Sequence, residues 1–516
     1  MNGAEALVRT LLGSGIDMCF ANPGTSEMHF VAALDRVEGM RCVLCLEEGS
    51  VTGAAEGYAR MAEKPASTLL HLGPGLANGL TNLHNARRGY SPMVNIVGEH
   101  ATYHRVYDAP LTSDIEAVAK TFSHWVHMAT EAGSVAQDAA GAIAAARRPP
   151  GQIATLILPA DVAWNEAPDG PAAPPAIARP EPVEPDALRR AAAILRSGEP
   201  AAILMTGRAL RATSLDVAGR IAAATGCRLL AQTSNARMER GAGRVAVERI
   251  PYPVDAALKT LHGLKHLILI GGKAPVAFFA YPDKPSVLTP SDCEIFTLAR
   301  IDQDLEAALA GLAEELGATK HAPAAEPLKR PAPPQSGPIT PETLAATLAA
   351  QLPENAVVVD ESISVGRAFY ASLRNAPPHD WLQLTGGAIG DGLPLATGAA
   401  IACPDRPVIC LEGDGSAMYN IQSLWTQARE KLDVTTLVMN NRSYAILKGE
   451  LANVGAQNAG PKALDMMSLD KPDIDWSALA RSLGVESHRA STVEELNRAL
   501  DASLAARGPQ LIDVVL

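Results

Sequence analysis

Two short runs, Gly413-Asp414-Gly415-Ser416 and Asn440-Asn441-Arg442-Ser443, constrain this chain more than any other feature. Each follows an apolar, strand-like stretch: residues 407–412 before the first and 434–439 before the second. Between them, residues 419–431 read as a helix. A strand–helix–strand passage of this kind is a βαβ unit. Its strands lie parallel and end at the same edge of a sheet, where parallel sheets bind their ligands. The Asp414 carboxylate, the Asn441 carboxamide and a backbone carbonyl near Ser443 then converge as hard oxygen donors. With two diphosphate oxygens and a water they complete the near-octahedral set that Mg²⁺ requires. Gly413 and Gly415 let the backbone approach phosphate closely. Either run alone is an ordinary turn; the pair at this spacing is the specific signal.

The rest of the chain alternates strand-like and helix-like runs, which predicts an α/β fold of parallel sheets. Two proline-dense stretches, 167–185 and 318–341, disfavour helix and ladder alike and read as extended linkers. They divide the 516 residues into three Rossmann-like units, 1–166, 186–317 and 342–516. In the first unit, a helix over 3–14 precedes a strand over 17–21 and the turn Asn22-Pro23-Gly24-Thr25-Ser26-Glu27. A strand over 41–46 leads into Glu47-Glu48 and a helix of small residues, suited to close packing against another helix at a subunit interface. A strand over 67–71 ends at His71, ahead of Gly73-Pro74-Gly75. The third glycine of a dinucleotide fingerprint would fall at Asn78, so this is a strand-to-helix turn and not that motif. The middle unit has strands over 201–206, 227–231 and 266–271 and no clustered titratable residues. In the last unit, a strand over 381–385 precedes Gly386-Gly387-Ala388-Ile389-Gly390.

A net charge of −12 and the lack of any basic run argue against nucleic acid as a partner. No charged-then-apolar leader and no apolar run of spanning length is present, so no membrane partner is expected. Seven cysteines, an odd number, fit reduced thiols in the cytoplasm. Cys42 and Cys45 share a strand, where residues three apart face opposite sides, so they are expected as core cysteines and not as a metal or redox pair.

In this order the motifs resemble those of the thiamin-diphosphate (ThDP)-dependent 2-oxo acid decarboxylases and acetolactate synthases. Asn22 to Glu27, Glu48-x₇-Glu56-Gly57-Tyr58-Ala59, Gly386-Gly387-x-Ile389-Gly390 and the Asp414/Asn441 pair carry the likeness over nearly the full length. It implies a pyrimidine-binding unit, a middle unit and a diphosphate-binding unit, with Mg²⁺ on Asp414, Asn441 and Ser443. Cofactor contacts are implied at Asn22, Pro23, Gly24, Glu48, Ser364, Gly387, Ile389, Gly413, Asp414, Gly415, Ser416, Tyr419, Asn441, Ser443, Tyr444, Ala445 and Ile446. Glu48 would face N1′ of the aminopyrimidine as its acid, with spacing to Glu56 choosing it over Glu47. Ile389 would be the wedge that keeps the cofactor bent.

His71 and Thr25 are the substrate-side candidates. Benzoylformate decarboxylase-like enzymes carry a histidine at the position of His71, whereas acetolactate synthases carry a small hydroxylated residue. Two features depart from the family. Phe278-Phe279-Ala280-Tyr281 stands where a second histidine is expected, and Glu99 stands where acetolactate synthases have glutamine. The middle unit is short and shows no nucleotide loop, so FAD is not expected. The resemblance further implies a homodimer or homotetramer that clamps each cofactor between two subunits. The expected reaction is decarboxylation of a small-molecule 2-oxo acid, with acetolactate synthase-like carboligation as the alternative. Intact Glu48, Asp414 and Asn441 argue against a ThDP-binding protein without turnover.

Overall fold

Three mostly parallel sheets organise the chain in a computed structural model that describes residues 1–456 and 458–516. The first contains β1 (Met18–Ala21), β2 (Arg41–Leu44), β3 (Ala66–Leu70), β4 (Met93–Glu99), β5 (Trp125–Met128) and β6 (Ile153–Pro159). Their order is β2-β1-β3-β4-β6-β5, with every pair parallel. Strands β3, β4 and β6 are buried along their whole length. Both faces of the sheet's centre are covered, which is why these strands read as nearly unbroken apolar runs.

The stretch from 201 to 299 supplies β7 (Ala201–Met205), β8 (Arg228–Ala231), β9 (Met238–Arg240), β10 (Glu248–Arg249), β11 (His266–Ile270) and β12 (Glu294–Ala299). Five of them form a second parallel sheet in the order β10-β8-β7-β11-β12. The third sheet holds β13 (Val357–Glu361), β14 (His379–Gln383), β15 (Val408–Gly413), β16 (Val434–Asn440), β17 (Glu486–Ala490) and β18 (Gln510–Val515). Its order is β17-β18-β16-β15-β13-β14, closed at the far edge by β9. The sheet is parallel as expected except at this edge, where β9 runs antiparallel to β14, with Met238 opposite Trp381 and Arg240 opposite His379. The Arg240 guanidinium stacks on Tyr370 and Trp381, at 3.7 and 5.1 Å from the ring centroids. That long-range contact holds a three-residue strand with no local signature, and β9 covers an edge that would otherwise be open.

The helix of small residues, Glu48–Ala62, packs against Gly392–Ala402 of the same chain, so its close contact is not the subunit interface expected of it. A Cβ at Gly57 would lie 2.0 Å from the Leu395 carbonyl oxygen, and one at Gly398 would lie 1.8 Å from that of Ala54. Backbone therefore touches backbone where the first and third units meet.

Three boundaries shift from expectation. The helix expected over 419–431 is confined to Ser423–Glu430, and Asp414–Ala417 form a separate short turn of helix. The Asn420 carboxamide turns inward to the Gly390 carbonyl at 2.6 Å, which occupies the segment between them. The strand expected to reach residue 46 ends at Leu44, because Glu47 is already the helix cap, accepting from the Ser50 N–H at 3.0 Å. Gly73 and Gly75 lie inside the helix Leu72–Gly89 rather than in a turn before it. All seven cysteines are free, with Cys45 buried and Cys42 half-buried. No helix among the described residues is long and apolar enough to cross a membrane.

Candidate active site

The candidate residues fall into two half-sites, each at the carboxyl edge of a sheet. Strands β2, β1 and β3 are adjacent, and their ends deliver Glu47-Glu48, Asn22–Glu27 and His71 side by side. Strands β16, β15, β13 and β14, also adjacent, deliver Asn441–Ser443, Asp414–Ser416, Ser364 and the loop 386–390.

In the first half-site, Glu47 and Glu48 point in different directions. Glu47 caps its helix, and burial pushes its carboxyl above the usual range. Glu48 is 8 % exposed; its Oε2 accepts from Asn78 Nδ2 at 3.0 Å, and its Oε1 lies against Gly75. A Cβ at Gly75 would sit 2.9 Å from that oxygen and 3.4 Å from the Cβ of His71, so Glu48 and His71 flank one glycine. His71 Nδ1 bonds to Glu27 Oε2 at 2.8 Å, and the same oxygen accepts from the Gly24 N–H at 2.7 Å. Glu27 is buried, and burial raises its pKa against the opposing pull of His71. The imidazole is 25 % exposed, with no partner for Nε2 among the described residues. Gly24 is required by contact, since a Cβ there would lie 2.1 Å from the His71 ring. Asn22 and Pro23 are half-buried beside it, and Thr25 is exposed.

In the second half-site, β15 and β16 end in register, with Gly413 opposite Met439. Asp414 is buried. Its Oδ1 accepts from the Gly415 N–H at 2.8 Å and its Oδ2 from the Arg442 N–H at 2.6 Å. Burial raises its pKa, and no cationic side chain among the described residues pairs with it. Asn441 Oδ1 accepts from the Ser443 N–H at 3.0 Å, which folds the loop back toward Asp414. Gly415 makes room for the Tyr444 ring, 2.3 Å from where a Cβ would be. Ser416 is buried, Ser364, Tyr444, Ala445 and Ile446 are half-buried, and Tyr419 is 53 % exposed. A buried carboxylate without a counter-charge, beside an amide oxygen and a Gly-lined turn, is a donor set that fits a divalent cation and a diphosphate.

Loop 386–390 is clamped from both units. His84 Nε2 contacts the Gly386 carbonyl at 3.0 Å, Asn85 Nδ2 donates to Ala388 O at 2.8 Å, and the Gly390 N–H donates to Glu361 Oε1 at 2.7 Å. Gly387 has φ +78°, and the Phe278 ring lies against it. Ile389 is half-buried on this loop and belongs to none of the hydrophobic cores. Through Phe278, the aromatic run 278–281 thus reaches loop 386–390.

Four acids gather near this loop, and sequence reasoning missed three of them. Glu56, Glu361, Asp391 and Glu412 are all buried, and burial raises the pKa of each, to about 7 for Glu361. Neither oxygen of Asp391 has a hydrogen-bond partner among the described residues. Of the four, only Glu56 has a salt bridge among the described residues, to Arg60. Glu56 was noted for its spacing alone, and nothing local marks the other three.

The family comparisons agree with this layout. Residues 1–150 match the thiamine pyrophosphate enzyme N-terminal TPP binding domain, and residues 364–514 match the C-terminal TPP binding domain. IlvX of Mycobacterium tuberculosis, named provisionally as an acetolactate synthase large subunit, is 54 % identical over 100 % of this chain and 99 % of its own. Benzoylformate decarboxylase of Pseudomonas aeruginosa is 30 % identical over 97 % of this chain and 96 % of its own. The fold matches that of the ThDP-dependent 4-hydroxybenzoylformate decarboxylase of Rhodococcus jostii RHA1, with a TM-score of 0.85 at 24 % identity over 100 % and 99 % of the two chains. With two half-sites at sheet edges, both cofactor domains matched and relatives aligned end to end, the chain belongs to the ThDP-dependent enzymes of the acetolactate synthase and benzoylformate decarboxylase family.

Proposed function

We propose that the protein decarboxylates a 2-oxo acid, with His71 as the proton-handling group on the substrate side. The observation that carries this reading is the His71–Glu27 hydrogen bond of 2.8 Å beside Glu48. A buried carboxylate on Nδ1 fixes the ring's orientation and favours the tautomer that leaves Nε2 able to exchange a proton. Mg²⁺ would be held by Asp414, the Asn441 carboxamide and the Ser443 carbonyl. When bound, the ThDP thiazolium supplies the electron sink for loss of CO₂. Glu48 would hold a proton against the aminopyrimidine, Ile389 would support the bent cofactor from the 386–390 loop, and Thr25 would line the substrate entrance. Phe278 gives this pocket an apolar wall where a second proton donor would otherwise stand. The free cysteines fit a reducing cytoplasm.

Carboligation is the second reading, favoured by the provisional name of the 54 %-identical relative. Incubation with pyruvate and with phenylglyoxylate, following CO₂, aldehyde and acyloin together, separates the two. Aldehyde equal to CO₂, lost in His71→Ala, supports decarboxylation. Acyloin as the main product would replace that reading with carboligation, and CO₂ release unaffected by His71→Ala would remove the histidine from it.

A further inference from the structure

The middle unit is not free of clustered charge, contrary to its sequence. A cavity of about 560 Å³ lies between the β8–β10 edge of the second sheet and residues 367–374 of the third unit. Six arginines line it, Arg228, Arg240, Arg244, Arg249, Arg367 and Arg374, against two glutamates, Glu248 and Glu326. The lining therefore carries four positive charges in excess.

The two glutamates are already engaged: Glu248 with Arg228 at 2.6 Å, and Glu326 with Arg374. Arg244 reaches Glu239 at 3.2 Å. Arg240, Arg249 and Arg367 have no carboxylate within ion-pair distance among the described residues. Arg240 is the telling one. It is 7 % exposed, donates through Nη2 to the Tyr370 carbonyl, and leaves Nη1 buried without a partner. Arg249 shares the Tyr370 ring with it, at 4.9 Å from the centroid, so two guanidiniums meet at one aromatic ring. Like charges gathered in a cleft with an unsatisfied buried donor are costly unless an anion completes them. Leu229, Met238, Val245, Val247 and Pro251 give the same cavity an apolar wall. Its volume lies within the roughly 300–1,000 Å³ range of small-molecule sites.

We propose that this cavity binds a small, multiply charged organic phosphate, held by Arg240, Arg249 and Arg367 across the junction of the middle and third units. Planar guanidiniums match phosphoryl oxygens bidentately, and dianionic groups neutralise the excess charge with the fewest atoms. The apolar wall takes the carbon skeleton.

The test uses the full chain saturated with ThDP and Mg²⁺, titrated calorimetrically with fructose 1,6-bisphosphate, inorganic phosphate and citrate. The bisphosphate should bind, raise the melting temperature and leave cofactor circular dichroism unchanged. Its affinity should fall at least tenfold in Arg249→Gln/Arg367→Gln and less in Arg249→Lys/Arg367→Lys, which keeps charge but not the fork. Neither arginine has an ion-pair partner among the described residues whose loss would unfold the protein. No bisphosphate binding, equal affinity in the glutamine variant, displacement of ThDP, or citrate or inorganic phosphate binding as tightly as the bisphosphate would each overturn the proposal.

Discussion

At the scale of single residues, the sharpest contrast is between Glu47 and Glu48. They are adjacent and chemically identical, yet Glu47 closes a helix cap while Glu48 faces Gly75 beside His71. Glutamine at either position can still accept a hydrogen bond, but it carries no acidic proton. Glu48→Gln should therefore slow hydrogen–deuterium exchange at cofactor C2 by a factor on the order of 10²–10⁴, the usual worth of a positioned acid–base group. Glu47→Gln should leave that rate nearly unchanged. Exchange followed by NMR reads both, and an effect confined to Glu47 would move the acid by one residue. A second prediction concerns Glu361, whose pKa is raised from 4.5 to about 7 by burial. The folded state holds this proton more tightly than the unfolded chain does. Its contribution is thus complete below pH 4.5 and is lost as pH rises through about 7, an effect on the order of 3 kcal/mol. Urea unfolding of the cofactor-free protein at pH 5 and pH 8 should show stability falling with pH. Glu361→Gln should reduce that dependence, leaving the share of the other buried acids; an unchanged slope would show that Glu361 does not titrate there.

At the scale of elements, the contact between helices 48–62 and 392–402 joins the first and third units. Because Gly398 meets the Ala54 carbonyl directly, Gly398→Ala must push the helices apart, at a cost of about 1–3 kcal/mol or more. Gly449, with no atom near its missing Cβ and in the exposed helix 445–453, should tolerate alanine or gain from it. Chemical denaturation of both variants checks the pair; equal effects would mean that helix propensity and not packing governs. These elements also show what the sequence could reveal. Strand ends were legible wherever an apolar run met a Gly- or Asn-rich turn, so β15, β16 and the Asp414–Asn441 juxtaposition were readable in advance. Glu47 and Glu48 were separable only by spacing to Glu56. What escaped depends on distant partners: β9 pairs with β14 across more than a hundred residues, and Glu361, Asp391 and Glu412 meet only after folding. The arginine cavity is scattered from Arg228 to Arg374 and leaves no local pattern at all.

At the scale of the whole molecule, loop 386–390 is held from both the first and third units, but Glu48, His71 and Asp414 make their hydrogen bonds within their own units. Glu48 bonds to Asn78 and His71 to Glu27, while Asp414 accepts from the backbone N–H groups of Gly415 and Arg442. Large apolar side chains stand exposed next to both half-sites: Met28 and Leu46 near the first, Met418, Tyr419 and Leu447 near the second. We propose that a second copy of the chain covers them and brings Glu48 of one protomer to Asp414 of the other. The predicted species is then at least a dimer of the 53.9 kDa chain by light scattering. Complementation tests the sharing of sites directly. Glu48→Gln and Asp414→Ala should each be inactive alone, since every site contains one defect. If the two variants are unfolded and refolded together, half of the dimers formed at random are mixed. Each mixed dimer pairs the intact Glu48 of one chain with the intact Asp414 of the other at one of its two sites. About a quarter of wild-type activity should return, the statistical limit for sites built from two chains. If both half-sites belonged to the same chain, no mixture could hold an intact site and activity would stay at the level of the separate variants.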